Sequence, residues 1–304
     1  MKIVIAGGSG FLGRVLSERL VVDGHQALAL TRRGGGGRPW EGPRSAATWT
    51  PDGTAGDWAA ALEGAHAVVN LAGASIGDGR WTTSRKAEIL DSRVDATRSL
   101  VTAIRGLKSP PSVLVSSSAQ GYYGDRGDEE LAEDAAAGRD FLADVCVRWE
   151  AEARQASDVC RVVTLRTGIV LAAEGGALPR MVLSFKLLAG GPFGSGRQFM
   201  SWIHLDDWVG LARLALADER VQGPVNLGSP NPVRNREFAA ALGRALGRPS
   251  LIPTPALALR LALGEMAQPL LLASTRMIPA AAVACGYRFR YPDLAQALEA
   301  VLNR

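Results

Sequence analysis

The sequence predicts an α/β protein: a doubly wound parallel sheet with a smaller, mainly helical C-terminal substrate region. Three observations carry that prediction. The chain opens with a short apolar run, Ile3 to Ala6, which ends at glycines and gives way to a helix-forming segment from Phe11 to Val22. Apolar runs then alternate with helical segments as far as Leu171, the order expected of a parallel sheet with crossover helices. The first glycines fall at Gly7, Gly10 and Gly13, between strand and helix, which is the context of a Rossmann-type nucleotide-binding turn.

Each glycine has a physical task. Gly7 allows the tight turn, Gly10 lets backbone N–H groups approach a pyrophosphate, and Gly13 lets helix pack close on strand. The helix N-terminus adds unpaired N–H groups and the positive end of its dipole. Gly7, Gly8, Ser9, Gly10, Phe11 and Leu12 are therefore candidate cofactor-binding residues. A second strand, Gln26 to Leu30, ends at Thr31-Arg32-Arg33. About twenty residues past the turn, an acid would hold the ribose 2′-hydroxyl of NAD. Arginines stand there instead, and guanidinium groups suit a 2′-phosphate. The expected cofactor is NADP, with Thr31, Arg32 and Arg33 at its adenosine end.

Gly34 to Gly37 reads as a loop, Ala46 to Trp49 as a third strand and Asp57 to Leu62 as a short helix. The run Ala65 to Gly73 gives a fourth strand. Strand C-terminal ends face the ligand in such a sheet, so Asn70, Leu71, Ala72 and Gly73 should border the cofactor. His66, at the other edge, reads as structural. A polar connection, Ile76 to Thr83, carries Arg80 and Trp81. The long helix after it shows a stripe of Leu90, Val94, Thr97, Val101 and Ile104 at helical spacing, and Pro110-Pro111 stops it. Ser112 to Val115 is a fifth strand running into Ser116-Ser117-Ser118-Ala119-Gln120-Gly121-Tyr122-Tyr123-Gly124. A helix from Arg139 to Gln155 and a sixth strand from Arg161 to Leu171 follow. Arg166, on that strand, is counted with the cofactor residues.

From Ala172 glycines and prolines break the chain into short pieces. Met181 to Leu188 reads as helix, Gly190 to Gln198 as a glycine-rich loop. Trp202 to Asp207 opens a helix with Asp206 or Asp207 in its first turn. Pro224 to Leu227 is a strand, Arg236 to Arg244 a helix, and Tyr287 to Tyr291 a short alternating segment in a mainly helical tail. Glycines in the Gly190 to Gln198 loop can expose N–H groups to an anion, and Arg197 supplies a charge. Arg80, Trp81, Gly194, Arg197 and Gln198 are the candidate substrate residues. The chain divides into 1–228, with substrate-side segments from about 172, and a small C-terminal domain at 247–303.

Composition narrows the function classes. With 304 residues, 47% hydrophobic and 21% charged, the chain is ordinarily globular. A net charge of +4 with scattered Lys and Arg gives no nucleic-acid footprint. Cys146, Cys160 and Cys285 are odd in number with no C-x-x-C spacing, and His25, His66 and His204 are far apart, so neither a disulfide framework nor a metal site is expected. No signal peptide is visible at the start. The apolar stretch Ala256 to Ala273 is interrupted by Arg260, Glu265 and Pro269, so no membrane span is expected. The expectation is a cytoplasmic, reduced protein, monomer or homodimer, that takes a small-molecule substrate.

The sequence resembles the NAD-dependent epimerase/dehydratase branch of the extended short-chain dehydrogenase/reductases. Within it, the chain is most similar to the epimerase-family, nucleoside-diphosphate-sugar-epimerase-like oxidoreductases. The resemblance is carried by Gly7 to Gly13, Asn70 to Gly73, Arg80-Trp81 with Ser92-Arg93, Gly121 to Gly124, Trp149-Glu150, Gly190 to Gln198 and Ser201 to Asp206. The tail from Gly247 to Asn303 resembles that subgroup's small C-terminal domain of unknown function. The resemblance implies NADP(H) binding, with Arg32 and Arg33 on the basic pair that meets the 2′-phosphate. It also implies a catalytic hydroxyl among Ser117, Ser118, Tyr122 and Tyr123, where the superfamily has a strand ending in serines and a Tyr-Gly pair. The superfamily's catalytic Tyr-x-x-x-Lys is missing. Setting Glu150 against the glutamate that often follows that motif puts Leu142 at the tyrosine and Cys146 at the lysine, a loss the subgroup shares.

Two functions from different classes follow. The first is an NADP(H)-dependent oxidoreductase or epimerase acting on a polar or anionic small molecule. Its pocket would lie between Ser117, Ser118, Tyr122 and Tyr123 on one side and the Gly190 to Gln198 loop on the other. The second is a non-catalytic NADP(H)-binding sensor or regulatory module, which an intact cofactor turn beside missing catalytic residues would also fit.

Overall fold

The computed structural model describes residues 1–32 and 45–302. Arg33, the Gly34 to Gly37 loop and Asn303 lie outside the described residues. In chain order the strands are β1 (Lys2–Ala6), β2 (Gln26–Thr31), β3 (Ser45–Thr48), β4 (Ala67–Asn70), β5 (Val113–Ala119), β6 (Glu130–Leu131), β7 (Arg161–Thr167), β8 (Ile169–Leu171), β9 (Phe199–Met200), β10 (Trp202–His204), β11 (Gly223–Leu227), β12 (Val233–Arg234) and β13 (Arg276–Met277). The helices are α1 (Phe11–Val22), α2 (Thr83–Arg105), α3 (Phe141–Arg154), α4 (Leu178–Lys186), α5 (Leu205–Ala217), α6 (Asn235–Leu246), α7 (Ala256–Leu263), α8 (Ala280–Ala284) and α9 (Leu294–Leu302).

Seven strands form one parallel sheet in the order β11-β7-β5-β4-β1-β2-β3. The order reverses between β1 and β4, and a ligand crevice lies outside the strand ends at such a reversal. Period-two alternation sorts the side chains to two faces. Ile3 and Ile5 of β1 pack with Leu16 and Leu20 of α1 and Trp208 of α5. Val4 and Ala6 pack with Leu100 and Ile104 of α2 and Ala153 of α3. Helices cover both faces, so this is the Rossmann-type doubly wound sheet the sequence predicts.

Local signals set the helix ends. Thr82 Oγ1 accepts the Arg85 N–H at 3.2 Å to cap α2, and Asp140 Oδ1 accepts the Ala143 N–H at 2.9 Å to cap α3. The Asp140 cap starts α3 two residues later than the predicted Arg139. The buried face of α2 is also shifted. Ile89, Ala96, Thr97, Leu100, Val101 and Ile104 are buried, while Leu90 and Val94 stay at its margin.

The C-terminal part shares cores with the rest of the chain. Leu294, Ala297, Leu298 and Val301 of α9 pack with Phe238, Ala239 and Leu242 of α6, and with Trp202 and Phe185. Ala282 of α8, with Tyr287 and Phe289, joins the core beneath α5. The region is less purely helical than predicted, since β8 pairs β10, β9 pairs β12 and β13 pairs β6. Tyr287 to Tyr291 forms no strand. The buried carboxylate of Asp207 accepts the Arg290 and Tyr291 N–H groups at 2.7 and 2.9 Å, taking the place of a ladder. Among the described residues, no helix is long and apolar enough to cross a membrane.

Candidate functional site: the crevice above the sheet

The crevice begins at the glycine turn. Gly7 holds φ +74°, and a Cβ there would lie 2.7 Å from the Leu71 carbonyl carbon and oxygen. The turn therefore presses directly against the end of β4. A Cβ on Gly13 would fall 2.3 Å from the Gly7 carbonyl oxygen, so only glycine lets α1 approach this closely. Gly8 packs against Ala29 of β2. Ser9 and Gly10 are exposed, and Gly10 caps α1 with its own N–H bonded to the Gly7 carbonyl at 2.9 Å. The first turn of α1 carries no acid, so the positive end of its dipole is left uncompensated for an anion. The Phe11 ring covers Gly175, and Leu12 packs into the core below.

Thr31 ends β2 half-buried, and Arg32 follows it exposed to solvent. On the other side of the reversal, Leu71 and Ala72 are half-buried and Gly73 is exposed. Asn70 is different. It is 0% exposed, its Nδ2 donates to Thr97 Oγ1 at 2.9 Å and Ser116 Oγ at 3.4 Å, and its Oδ1 accepts the Ala72 N–H at 3.1 Å. The Asn70 side chain ties β4, β5 and α2 together and is not free to touch a cofactor, contrary to the sequence expectation. Ser92 Oγ accepts the Ala74 N–H at 2.9 Å, and Arg93 beside it lies against Gly73.

The serine end of β5 and the Tyr-Gly pair enter a buried polar network. Ser118 Oγ donates to Glu150 Oε1 at 2.7 Å. Arg166 grips the same carboxylate through Nε at 2.8 Å and Nη2 at 2.9 Å, with both side chains 3% exposed. Its Nη1 donates to Tyr123 Oη at 3.0 Å and to the Glu133 carbonyl at 2.9 Å. Tyr123 Oη in turn donates to Asn226 Oδ1 at 2.7 Å. Burial first, against the neighbouring Arg166, pushes the Tyr123 phenol up to about 12. Three sequence assignments change here. Arg166 is 3% exposed and spends four of its five N–H donors on Glu150, Tyr123 and the Glu133 carbonyl. Ser118 is buried with its hydroxyl on Glu150, and Tyr123 is fully buried and committed to protein partners. Tyr122 is half-buried, with its ring 3.4 Å from the Arg166 guanidinium carbon, and Ser117 is half-buried.

On α3, Leu142 packs against Gly121 and Cys146 is buried, its thiol pushed up to about 12 mainly by burial. Leu142 has no proton to exchange and the Cys146 thiol keeps its own at neutral pH, so neither replaces the missing acid–base pair. Among the described residues, no group of His, Cys, Asp and Glu could hold a metal ion.

Residues 3–228 match the model of the NAD dependent epimerase/dehydratase family, and residues 254–301 match a domain of unknown function, DUF1731. The chain belongs to the NAD-dependent epimerase/dehydratase family. This epimerase-family chain is 38% identical over 305 residues to the chloroplastic epimerase family protein SDR39U1 homolog of Arabidopsis thaliana, covering 100% of this chain and 87% of that one. The crystal structure of human epimerase family protein SDR39U1 with NADPH superposes with a TM-score of 0.90 at 35% identity, covering 100% of both chains. A nucleoside-diphosphate sugar epimerase from Corynebacterium glutamicum gives 0.77 at 33% identity, covering 99% of this chain and 58% of that one.

The substrate-side residues of this family member divide into walls and fasteners. Arg80 Nη2 donates to the Leu261 and Ala262 carbonyls at 2.8 and 3.1 Å, closing the C-terminal end of α7. Trp81 is buried with Ile89, Leu142, Val145 and Met266, and its Nε1 donates to the Ile76 carbonyl at 2.9 Å. Gln198 is buried and donates to the Phe193 and Leu271 carbonyls at 3.1 and 2.9 Å. All three were expected to meet substrate. Trp81 and Gln198 are buried with their N–H donors spent on the protein, whereas Arg80 is exposed and commits only Nη2 to it. Gly194, at φ +55°, lies against Leu272 and Ala256. Arg197 is exposed, and its carbonyl accepts Arg234 Nη1 at 2.5 Å.

A late segment joins the two walls. Ser274 N donates to Asp125 Oδ1 at 3.1 Å, Ser274 Oγ to the Gly127 carbonyl at 2.5 Å and Thr275 Oγ1 to the Gly124 carbonyl at 3.1 Å. On its other side, Phe199 N donates to Ser274 Oγ at 2.9 Å and Ser201 Oγ to the Thr275 carbonyl at 2.7 Å. Sequence reasoning missed this segment, along with Asn226 and Glu133. Asn226 had a legible signal, as a polar residue inside the apolar run Pro224 to Leu227.

Proposed function

We propose that the protein is an NADP(H)-dependent oxidoreductase or epimerase of the extended short-chain dehydrogenase type, acting on a polar or anionic small molecule. One observation carries the reading. The Gly7 to Gly13 turn opens onto an α1 N-terminus free of acids, while β2 ends in Arg32 where an acid would select NAD. The residues fit the cofactor, and the human relative crystallised with NADPH supports the choice. NADP(H), when bound, supplies or accepts a hydride at its nicotinamide. The backbone N–H groups at the start of α1, with that of Ser9, hold the pyrophosphate, and Arg32 meets the 2′-phosphate. Leu71, Ala72 and Gly73 leave room for the rest of the dinucleotide. Ser117 and Tyr122 are the hydroxyls assigned to the substrate, with Arg197 and Gly194 on the opposite wall. A cytoplasmic monomer or homodimer is part of the same proposal.

Fluorescence titration with NADPH and NADH tests it. A hydrogen bond to a charged group contributes about 1.5–3 kcal/mol, so Arg32→Ala lowers the NADPH preference by roughly ten- to hundredfold. Equal affinity for both cofactors in the parent protein would sink the reading.

Leu142 and Cys146 favour a second reading, a non-catalytic NADP(H)-binding sensor or regulatory module. General acid–base help contributes roughly 10²–10⁴ in rate, and α3 offers none. NADPH binding with no turnover of any carbonyl compound or sugar nucleotide, in parent and Tyr122→Phe alike, selects the sensor.

A further inference from the structure

We propose that Arg93 is the cation for the nicotinamide half of the bound dinucleotide, delivered from α2 into the space that a lysine on α3 would otherwise fill. The inference rests on the NADP(H) reading above.

Position comes first. Ser92 and Arg93 form one unit against the end of β4. Ser92 holds the Ala74 N–H, and Arg93 lies so close to Gly73 that a Cβ there would sit 3.2 Å from both its Cγ and its Cζ. The guanidinium therefore reaches the C-terminal edge of β4, where Gly73 is exposed. Arg32 at the end of β2 marks the adenosine side of the sheet reversal. A dinucleotide straddling that reversal places its other half over β4 and β5, which is the Arg93 side.

Chemistry comes second. Arg93 Nη1 donates to the Ile89 carbonyl at 2.9 Å, and its Cζ lies 5.2 Å from the Trp149 ring. Among the described residues no carboxylate pairs with it. Other arginines of α2 are paired: Arg85 with Glu88, and Arg98 with Asp95 and Glu152. A guanidinium has five N–H donors, so most of those on Arg93 remain for a ligand. A partly buried cation without a counter-charge is unfavourable, and burial holds Arg93 below its ordinary value. Oxygen atoms of a ligand would relieve both deficits.

Replacement comes third. Cys146, at the lysine position of the superfamily motif, lies on α3 one turn before Trp149, the ring against which Arg93 rests. Its thiol is buried against the Ala119 carbonyl, 3.8 Å away. The charge lost from α3 is thus present nearby on α2. The ligand atoms that fit are the hydroxyls of the nicotinamide ribose.

The test uses two probes, NADPH and adenosine 2′,5′-bisphosphate, which keeps the adenosine half and lacks the nicotinamide half. Each is titrated against the parent, Arg93→Gln and Arg93→Lys, with thermal unfolding of every variant. Arg93→Gln should weaken NADPH about tenfold or more and leave the bisphosphate within about twofold, while Arg93→Lys falls between Gln and parent. Should Arg93→Gln fail to unfold cooperatively, Arg93→Lys still has to show a loss confined to NADPH, because it lacks the planar fork. Unchanged NADPH affinity in a folded variant, or equal losses for both probes, would overturn the inference alone. A parent protein that binds neither probe would overturn the cofactor reading and this inference with it.

Discussion

Replacing Arg166 with methionine should be the most damaging single change to the polar network beside β5. The substitution keeps an unbranched, apolar side chain but removes two bonds to Glu150, one to Tyr123 and one to the Glu133 carbonyl. It leaves the Glu150 carboxylate 3% exposed, with Ser118 still donating to it at 2.7 Å. Breaking one partner out of a buried ion pair costs about 3–5 kcal/mol, because the other charge stays buried. At roughly 2 °C per kcal/mol for a chain of this size, the melting temperature should fall by about 6–10 °C. Adding Glu150→Leu removes the stranded charge and should restore most of that loss. The assay is urea unfolding of the parent, both single variants and the double variant, with NADPH titration of each folded protein. A loss below about 1 kcal/mol in Arg166→Met, or a double variant no more stable than the single, would refute the reasoning. So would a stable Arg166→Met protein that no longer binds NADPH, since that would return Arg166 to the cofactor.

Other changes have distinct signatures. Gly13→Ala puts a Cβ 2.3 Å from the Gly7 oxygen, so α1 must move off β1. Stability and NADPH affinity should fall together, and an unaltered melt with unaltered affinity contradicts that packing. Tyr123→Phe leaves Asn226 Oδ1 without its donor and should cost about 1–3 kcal/mol, whereas Tyr122→Phe should leave stability within about 0.5 kcal/mol. Chemical denaturation of the two side by side checks the ordering. Iodoacetamide should modify Cys146 slowly at pH 8, since the thiolate is the reactive form; fast labelling of the native protein would show that its burial is misjudged. Cys146 and Tyr123 both rise to about 12, from 9.0 and 10.0. The folded state therefore holds their protons more tightly than the unfolded state. Their contribution is fully present below about pH 9 and is lost as pH rises through 9 to 12, which unfolding curves across that range will show.

Much of the fold is legible because it is written in local patterns. The β1–turn–α1 unit needs only an apolar run, glycines and a helix-forming segment. In α2 the pattern was ambiguous by one position. Ile89 and Leu90 are adjacent apolar residues, and a helical step from either reaches Val101 and Ile104. Packing against Trp81 and against Leu142 and Val145 of α3 selects Ile89. The site was harder to read because its decisive contacts are remote. Tyr122 and Tyr123 are identical side chains in sequence, and what separates them is a bond to Asn226, 103 residues away. Nothing local to Arg80 shows that the carbonyls of Leu261 and Ala262, 181 and 182 residues on, take up its Nη2. Arg166 likewise becomes structural only when α3 supplies Glu150. The position of Arg32, just past the end of β2, is by contrast set by strand order alone.

The segment from Ser274 to Met277 also orders events in time. Its bond from Thr275 to Gly124 spans 151 residues. At about 5–20 residues per second, a ribosome needs roughly 8–30 s to travel that distance. The glycine turn and the β1–α1 unit can be complete long before. Throughout the interval the edge from Tyr122 to Gly127 stands open, with Asp125 Oδ1 and the Gly124 and Gly127 carbonyls still lacking the late donors. A nascent chain can thus form its glycine turn early, while the edge held by Ser274 and Thr275 closes only near the end of synthesis.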